Sequence, residues 1–299
     1  MEKAYKRQAA LLLAVLPEVA KENCFALHGG TAINLFIRDM PRLSVDIDLT
    51  FLPIEDRPSS LIHIAETLER IKKNIEAVIP NVHILHRVNA AKLQISTPDA
   101  NIKIEVNLVN RGVLSAPIKM QLTTRAQNEF DVFAAIHVVP LGQLYGGKIC
   151  AALDRQHPRD LFDIKYLLVN EGITPEVKQG FLLCLIASDR PMNEVIRPNL
   201  QDQRSALANQ FEGMSGEVFS YTEYEATRPK LIEAIHASLT DEDRMFLLSV
   251  KNLTPEWSIH DFERFPAIQW KLQNLRRLKE INPQKYLEHY EALKQKLSR

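Results

Sequence analysis

Two glycines followed by two aspartates mark the segment Leu27 to Phe51, LHGGTAINLFIRDMPRLSVDIDLTF. A short apolar run ends at Gly29 and Gly30, and Thr31 can cap a helix whose apolar side chains share one face. The pattern predicts a strand, a tight turn and a helix N-terminus. Such a turn presents backbone N–H groups that no side chain covers, so a phosphate can approach them closely. The alternative is a turn that needs glycine only for its left-handed backbone angles.

The two aspartates, Asp46 and Asp48, lie two residues apart in SVDIDLTF. Apolar and polar residues alternate there, so a strand buries the apolar set and places both carboxylates on its other face. Neighbouring carboxylates repel each other, and a cation between them relieves the repulsion. We predict Mg²⁺ as this cation, because it prefers oxygen ligands and completes its shell with water and substrate phosphates. The alternative is an edge strand with a solvated acidic face.

A third carboxylate, Glu105, lies on the polar face of a second predicted strand, in NIKIEVNLVN. If this strand pairs with the strand of Asp46 and Asp48, the three carboxylates converge. Three acids beside a glycine turn are typical of two-metal phosphoryl transfer. We therefore predict all three as ligands of Mg²⁺, or of Mn²⁺ in its place. For Glu105 the alternative is an ordinary charged residue on an exposed strand face.

The composition limits the partners and the compartment. Lys and Arg number 37, and Asp and Glu also number 37, so any contact with RNA or DNA requires a local basic patch. The cysteines, Cys24, Cys150 and Cys184, are widely spaced and odd in number, which fits neither a disulfide framework nor a zinc site. No stretch is long enough to span a bilayer. These features predict a cytoplasmic protein without a membrane partner.

The pattern of the chain changes once, near residue 140. Strand-like runs alternate with helices from Asn23 to about Val139, and the pattern is almost wholly helical from Leu141 onward. We predict an α+β fold, in which a small mixed sheet flanked by helices is followed by a helical C-terminal domain. The predicted domains are residues 1–140, with an N-terminal helix, and residues 141–299. The basic C-terminal segment WKLQNLRRLKEINPQKYLEHYEALKQKLSR indicates either a patch for an RNA backbone or a solvated charged helix face.

Several segments together resemble a known family. GGTAINLF, RLSVDIDLTF and PLGQLYGGKICAALDRQHPRDLFDIKYLL resemble the AbiEii/AbiGii nucleotidyltransferase toxins of type IV toxin–antitoxin and abortive-infection systems. FPAIQWKLQNLRRL, residues 265–278, is similar to a segment near the C-terminus of these toxins. The Gly-Gly and Asp-x-Asp pattern is shared by the DNA-polymerase-β-like nucleotidyltransferases. Lys148 and the Arg-Asp-x-x-Asp block at residues 159–163 narrow the resemblance to the toxin branch of these enzymes. Many of these enzymes carry Gly-Ser where this chain has Gly30 and Thr31, so a hydroxyl contact to phosphate falls to Thr31.

The resemblance implies a nucleotidyltransferase fold in residues 1–140 and a domain in residues 141–299 that completes the active site and binds RNA or a partner. It implies a Mg²⁺-dependent enzyme that takes an NTP, releases pyrophosphate and transfers a nucleotide to the 3′ end of tRNA, which blocks aminoacylation and translation. It also implies a co-encoded antitoxin. The alternatives are nucleotidyl transfer to a protein or small-molecule hydroxyl, and a non-catalytic nucleotide-binding regulatory module.

The resemblance also assigns roles to single residues. The implied catalytic residues are Asp46, Asp48, Lys148, Asp160 and Asp163. The implied nucleotide-binding residues are Gly29, Gly30, Thr31, Arg42 and Ser44. Lys148 matches the family's catalytic or triphosphate-binding lysine, and an exposed helical lysine is the alternative. Either Asp160 or Asp163 is the functional acid; otherwise Asp160 caps a helix and Asp163 pairs with Arg159 or Lys148.

Overall fold

The computed structural model describes residues 1–298, which form two compact units. The first unit comprises Met1–Pro140 and Phe211–Val218, and the second comprises Leu141–Gln210 and the residues from Phe219 onward. The short segment Phe211–Val218 joins the first unit through the backbone. Leu43 N donates to Met214 O at 2.8 Å, and an isolated antiparallel bridge links Arg42 to Ser215. The second half of the chain thus contributes one segment to the first unit.

Within residues 1–298, the first unit contains a seven-stranded mixed sheet. Its strands are β1 (Phe25–His28), β2 (Asp46–Phe51), β3 (His83–Arg87), β4 (Lys92–Ser96), β5 (Asn101–Val106), β6 (Ile118–Gln121) and β7 (Ala135–Val138). They lie in the order β3-β4-β5-β2-β1-β7-β6. The β2/β5 and β1/β7 pairs are parallel, and the other neighbours are antiparallel. The predicted mixed sheet is confirmed.

Helices cover one face of this sheet. The helices of the first unit are α1 (Lys3–Val19), α2 (Gly29–Ala32), α3 (Arg57–Val78) and α4 (Thr124–Phe130). A π-helical turn, Ile33–Ile37, continues α2. Helix α1 contacts β5 and β7, and α3 contacts β3 and β4. Along β2 and β5, the apolar residues Ile47 and Ile104 are fully buried, whereas the alternating polar residues are partly exposed. The polar face of the sheet is therefore the face open to a ligand.

The second unit is helical, which confirms the predicted helical C-terminal region. Its helices are α5 (Leu141–Asp154), α6 (Pro158–Asn170), α7 (Pro175–Ala187), α8 (Met192–Ile196), α9 (Arg204–Gln210), α10 (Tyr221–Ser238), α11 (Asp241–Lys251), α12 (Pro266–Ile281) and α13 (Pro283–Leu297). Helices α6, α7, α12 and α13 each begin at a proline, which lacks the N–H that a first helical turn leaves unpaired. No helix of the described chain combines the length and apolar character that crossing a bilayer requires.

Glycines bring α5 and α7 into direct backbone contact. A Cβ atom placed on Gly146 would overlap the backbone of Gly180, and one placed on Gly180 would overlap the backbone of Gly142. A side chain at any of these positions would have to push the two helices apart. This contact packs α5 tightly in the core of the second unit.

We expect Gly146→Ala to lower the free energy of unfolding by about 1–3 kcal/mol, because overpacking outweighs the better helix propensity of alanine. Urea denaturation followed by circular dichroism measures the change. Gly216→Ala is the control, since its Cβ would meet nothing closer than Arg125 Nη2 at 3.6 Å. Equal stability of Gly146→Ala and the wild type would contradict the backbone contact.

Candidate functional site

The Gly-Gly turn connects β1 to α2 as the sequence predicts. Strand β1 ends at His28, and Gly29 has a φ of +73°, a left-handed backbone angle that favours glycine. Asp48 lies directly opposite His28 in the antiparallel β1/β2 pair. A Cβ atom on Gly29 would overlap Asp48 Oδ2, so only glycine lets the carboxylate lie this close to the turn. The turn and the second aspartate therefore form one site.

Thr31 has a different place from the one predicted. It lies inside α2 rather than at the N-cap, and α2 has no side-chain cap. Its side chain is fully buried. The Thr31 hydroxyl donates to the Asp46 carbonyl oxygen at 2.5 Å and lies 2.9 Å from the Ser44 hydroxyl. This geometry ties the turn to the start of β2, and the predicted contact of the Thr31 hydroxyl with phosphate stays a prediction.

Arg42 and Ser44 pack against the second glycine of the turn. A Cβ atom on Gly30 would lie 2.8 Å from Arg42 Nη2 and 3.3 Å from Ser44 Oγ. Both side chains are buried, and Arg42 Nη1 donates to Leu43 O at 2.9 Å. The guanidinium thus places a permanent positive charge next to the turn. All five residues predicted to bind nucleotide come together here.

The pairing of β2 with β5 is confirmed. In this parallel pair, Asp46 lies opposite Lys103 and Asp48 opposite Glu105, so all four side chains share the polar face. The three carboxylates predicted as metal ligands share this face, and Glu105 binds lysines there. Lys92 Nζ contacts Glu105 Oε1, and Lys103 Nζ lies 2.8 Å from Glu105 Oε2. Within residues 1–298, no three carboxylate, histidine or cysteine side chains are grouped so that they can hold a metal ion.

Lys103 is a site residue to which the sequence analysis gave no role. Its Nζ atom lies 4.0 Å from Asp46 Oδ2, between that aspartate and Glu105. Burial alone would lower the pKa of Lys103, but the neighbouring Glu105, Asp46 and Asp48 carboxylates raise it above its usual value. Burial would raise the pKa of Glu105, and Lys103 and Lys92 lower it. The sequence did indicate its position, since Lys103 lies two residues before Glu105 in NIKIEV and therefore shares the polar face of the strand with it.

An open cavity of about 430 Å³ lies beside Asp46 and Lys103. Side chains of β3, β4 and β5 line it, among them His83, Gln94 and Asn101. The volume falls in the range of pockets that hold small organic ligands. Asp46 contributes its carboxylate oxygens to the lining, and such oxygens suit a hard cation such as Mg²⁺. The first unit thus offers carboxylates for a metal, a bare backbone turn and basic side chains for phosphate, and room for a ligand.

The second unit contains an ion cluster in which Lys148, Asp160 and Asp163 are buried and Arg155 is exposed. Lys148 Nζ lies 3.0 Å from an oxygen of each aspartate, and its side chain is 6% exposed. Arg155 donates to Asp160 from Nε at 2.6 Å and from Nη2 at 3.0 Å. Burial would raise the pKa of Asp160, but Lys148 and Arg155 outweigh it and hold that pKa well below its usual range.

This cluster settles the alternatives drawn from spacing. Lys148 is a buried residue of α5, not an exposed helical lysine. Asp160 is not the cap of α6, because His157 Nδ1 accepts the bond from Arg159 N at 3.1 Å. Asp163 does pair with Lys148. Arg155 was missed, since its spacing from Asp160 gave no sign that the chain folds back between α5 and α6. Catalytic roles for Lys148, Asp160 and Asp163 stay predictions.

Comparisons with known proteins identify a family from one family model and a fold from one solved structure. The family model described as nucleotidyl transferase AbiEii toxin of a type IV toxin–antitoxin system matches residues 10–274. The solved structure of MenT4, a nucleotidyltransferase toxin from Mycobacterium tuberculosis, superposes with a TM-score of 0.63 at 12% sequence identity, covering 91% of this chain and 93% of that chain. At this identity the likeness shows the fold. A search of curated proteins finds no match.

Proposed function

The chain belongs to the AbiEii family of nucleotidyltransferase toxins, and from this premise we propose that it transfers a nucleotide from an NTP to the 3′ end of tRNA with the help of Mg²⁺. The product is a tRNA that cannot be aminoacylated, so translation stops. Membership in a type IV toxin–antitoxin family implies an NTP as substrate and a co-encoded antitoxin. The contact of Asp48 with the Gly29 turn is the observation that carries the proposal.

The glycine turn is the proposed phosphate site. The backbone N–H groups at the start of α2 carry no side chain at Gly29 and Gly30, and such groups favour a negative charge. Arg42, packed on Gly30, adds a fixed positive charge beside them. Lys103 adds a second positive charge on the polar face of β5. Together these groups offset the charge of a triphosphate and hold it against β2.

Asp46 and Asp48 are the proposed metal ligands. When bound, Mg²⁺ supplies charge that polarises the phosphoryl group and steadies the leaving pyrophosphate. The chain's own part is to hold two oxygen donors side by side on one face of β2, next to the phosphate turn. Glu105 keeps Lys103 on the same face through its 2.8 Å ion pair. Glu105 itself becomes a ligand only if it exchanges its lysines for the metal, which we propose as a secondary role.

The second unit's part in catalysis is inferred from the family. The resemblance implies that Lys148 contacts the triphosphate and that Asp160 or Asp163 assists. In the described chain the Lys148 ammonium is held by both aspartates, so a contact with phosphate requires it to exchange a carboxylate for a phosphate oxygen. We propose that the cluster first of all fixes α5 against α6.

The acceptor is tested by incubating the full chain with Mg²⁺, deacylated total tRNA and each α-labelled NTP in turn, followed by a denaturing gel. A matched sample of tRNA is oxidised with periodate, which destroys its 3′-terminal hydroxyls. We expect label in untreated tRNA and none in the oxidised sample. Label on protein or on a small molecule alone would overturn the tRNA assignment but keep nucleotidyl transfer.

A further inference from the structure

A second cavity, lined by lysines, lies within the helical unit, apart from the residues assigned above. It has a volume of about 200 Å³ and is bounded by the segment after α7, the end of α11, and helices α12 and α13. We call it the lysine cavity. Its charged and aromatic lining residues are Asp189, Lys251, Trp270, Lys271, Lys285 and His289.

Lys251 is the unusual member of this lining. It is the last residue of α11, and the residue is only 4% exposed. Within residues 1–298, its ammonium makes no hydrogen bond to the protein; its Nζ atom lies 5.0 Å from the centre of the Tyr286 ring. A buried charge without an acceptor costs free energy. The cavity is the direction from which an acceptor can come.

Lys271, the other buried lysine of the lining, is hydrogen-bonded to the protein and serves as the comparison for Lys251. It is 9% exposed, and its Nζ atom donates to Ser188 O at 2.6 Å and to Arg190 O at 2.9 Å. These bonds satisfy the ammonium and fix the segment after α7. No comparable bond exists for Lys251 in the described chain. The difference indicates that Lys251 is held for a partner that is not protein backbone.

Lysines outnumber carboxylates in the lining of the cavity. Burial lowers the pKa of Lys251 to about 8, with a further contribution from Lys271. Burial also lowers the pKa of Lys271 to about 8, with Asp189 opposing it. The pKa of His289 is lowered by burial and by Lys251 and Lys285. One carboxylate, Asp189, stands in the lining against three lysines. An anion placed here would relieve repulsion that the free protein bears.

We propose that the lysine cavity binds a phosphate monoester group, with Lys251 as its principal ligand. The proposal is independent of the nucleotidyl transfer proposed for the first unit. A monoester group ends its molecule, so it can enter a cavity whose two innermost cations are less than a tenth exposed. A backbone diester is flanked by sugars on both sides and is too encumbered to do so. Trp270, 43% exposed at the lining, offers a flat surface for the rest of the ligand.

The probe is inorganic phosphate, titrated calorimetrically and by thermal unfolding into the full chain at ionic strength matched with chloride. The variants are Lys251→Met, the exposed lining variant Lys285→Met, and Lys294→Met as a control on α13 outside the lining. We expect phosphate to bind the wild type and Lys294→Met, with affinity about tenfold or more weaker in Lys251→Met. Phosphate bound at the glycine turn contributes equally to all variants and cancels.

Stability of the phosphate-free protein provides a second readout. Lys251→Met removes a buried ammonium that makes no hydrogen bond to the protein, so we expect its midpoint of thermal unfolding to equal or exceed that of the wild type; a merely structural lysine would lower it. Equal phosphate shifts in wild type, Lys251→Met and Lys285→Met, or no phosphate binding at all, would overturn the proposal. RNA oligonucleotides with a 5′-phosphate and with a 5′-hydroxyl distinguish the two possible sources of the phosphate monoester. If only the 5′-phosphorylated RNA binds, and binding requires Lys251, the ligand is an RNA end. If neither RNA binds although inorganic phosphate does, the ligand is a small molecule.

Discussion

Asp48→Asn is expected to reduce the rate of nucleotide transfer by about a thousandfold while leaving the fold intact. A metal ion contributes several kcal/mol to such a reaction, and each 1.4 kcal/mol is a factor of ten in rate. Asparagine has the shape of aspartate and still fits against Gly29, but it lacks the charge that holds a hard cation. Because Asp46 and Glu105 share the same face, losing one negative charge there does not destabilise the strand.

The rate is measured as incorporation of α-labelled nucleotide into the acceptor, and metal affinity by titration with Mn²⁺. Asp99→Asn is the matched control, since Asp99 is an exposed aspartate that lies between β4 and β5. We expect the control to keep both the rate and the metal affinity of the wild type. An Asp48→Asn protein that transfers nucleotide within a few-fold of the wild-type rate would show that the reaction does not depend on this carboxylate.

Lys148→Met is expected to lower the free energy of unfolding by about 3–5 kcal/mol, because it leaves Asp160 and Asp163 buried without the ammonium between them. The control, Lys165→Met, removes a partly exposed ion pair with Glu223 in the same unit and should cost at most about 1 kcal/mol. Denaturant unfolding measures both. A Lys148→Met protein that keeps its stability but loses transfer activity would contradict the structural role and favour the catalytic one.

The pH dependence of this effect has a defined sign. The pKa of Asp160 is lower in the folded chain than in the unfolded chain. Its contribution to stability is therefore complete above the unfolded value, about 4, and is lost as the pH falls through the folded value. Without Lys148, burial favours the protonated acid. We expect the stability difference between wild type and Lys148→Met to shrink as the pH is lowered from 7 towards 3.

Local alternation was enough to foresee the polar face of the sheet that carries the candidate site residues. The two-residue period in SVDIDLTF and NIKIEV places Asp46, Asp48 and Glu105 on polar faces because successive strand side chains must point to opposite sides. The glycine turn was foreseen because few other residues adopt a left-handed φ. Alternation did not reveal that Glu105 prefers lysines, since that depends on Lys92 from the neighbouring strand β4.

Helical spacing was less informative about the second unit. It placed Asp160 and Asp163 on one face of α6, but it did not show that Lys148 meets both in the interior or that the exposed Arg155 binds Asp160. The lysine cavity was not foreseen because its lining comes from four separate parts of the chain. Spacing within one helix predicts which side chains share a face of that helix. It does not predict which residues pack against that face, because those residues come from distant parts of the sequence.

The proposal that Asp46, Asp48 and the Gly29–Gly30 turn form one metal–nucleotide site is tested most directly by crystallography. The full chain is crystallised with Mn²⁺ and a non-hydrolysable NTP analogue, and the metal is located by its anomalous signal. We expect a manganese peak bound by both aspartates, with the analogue's phosphates against the backbone N–H groups of the turn. A nucleotide bound elsewhere, or a metal that leaves Asp46 and Asp48 without contact, would contradict the assignment of the site.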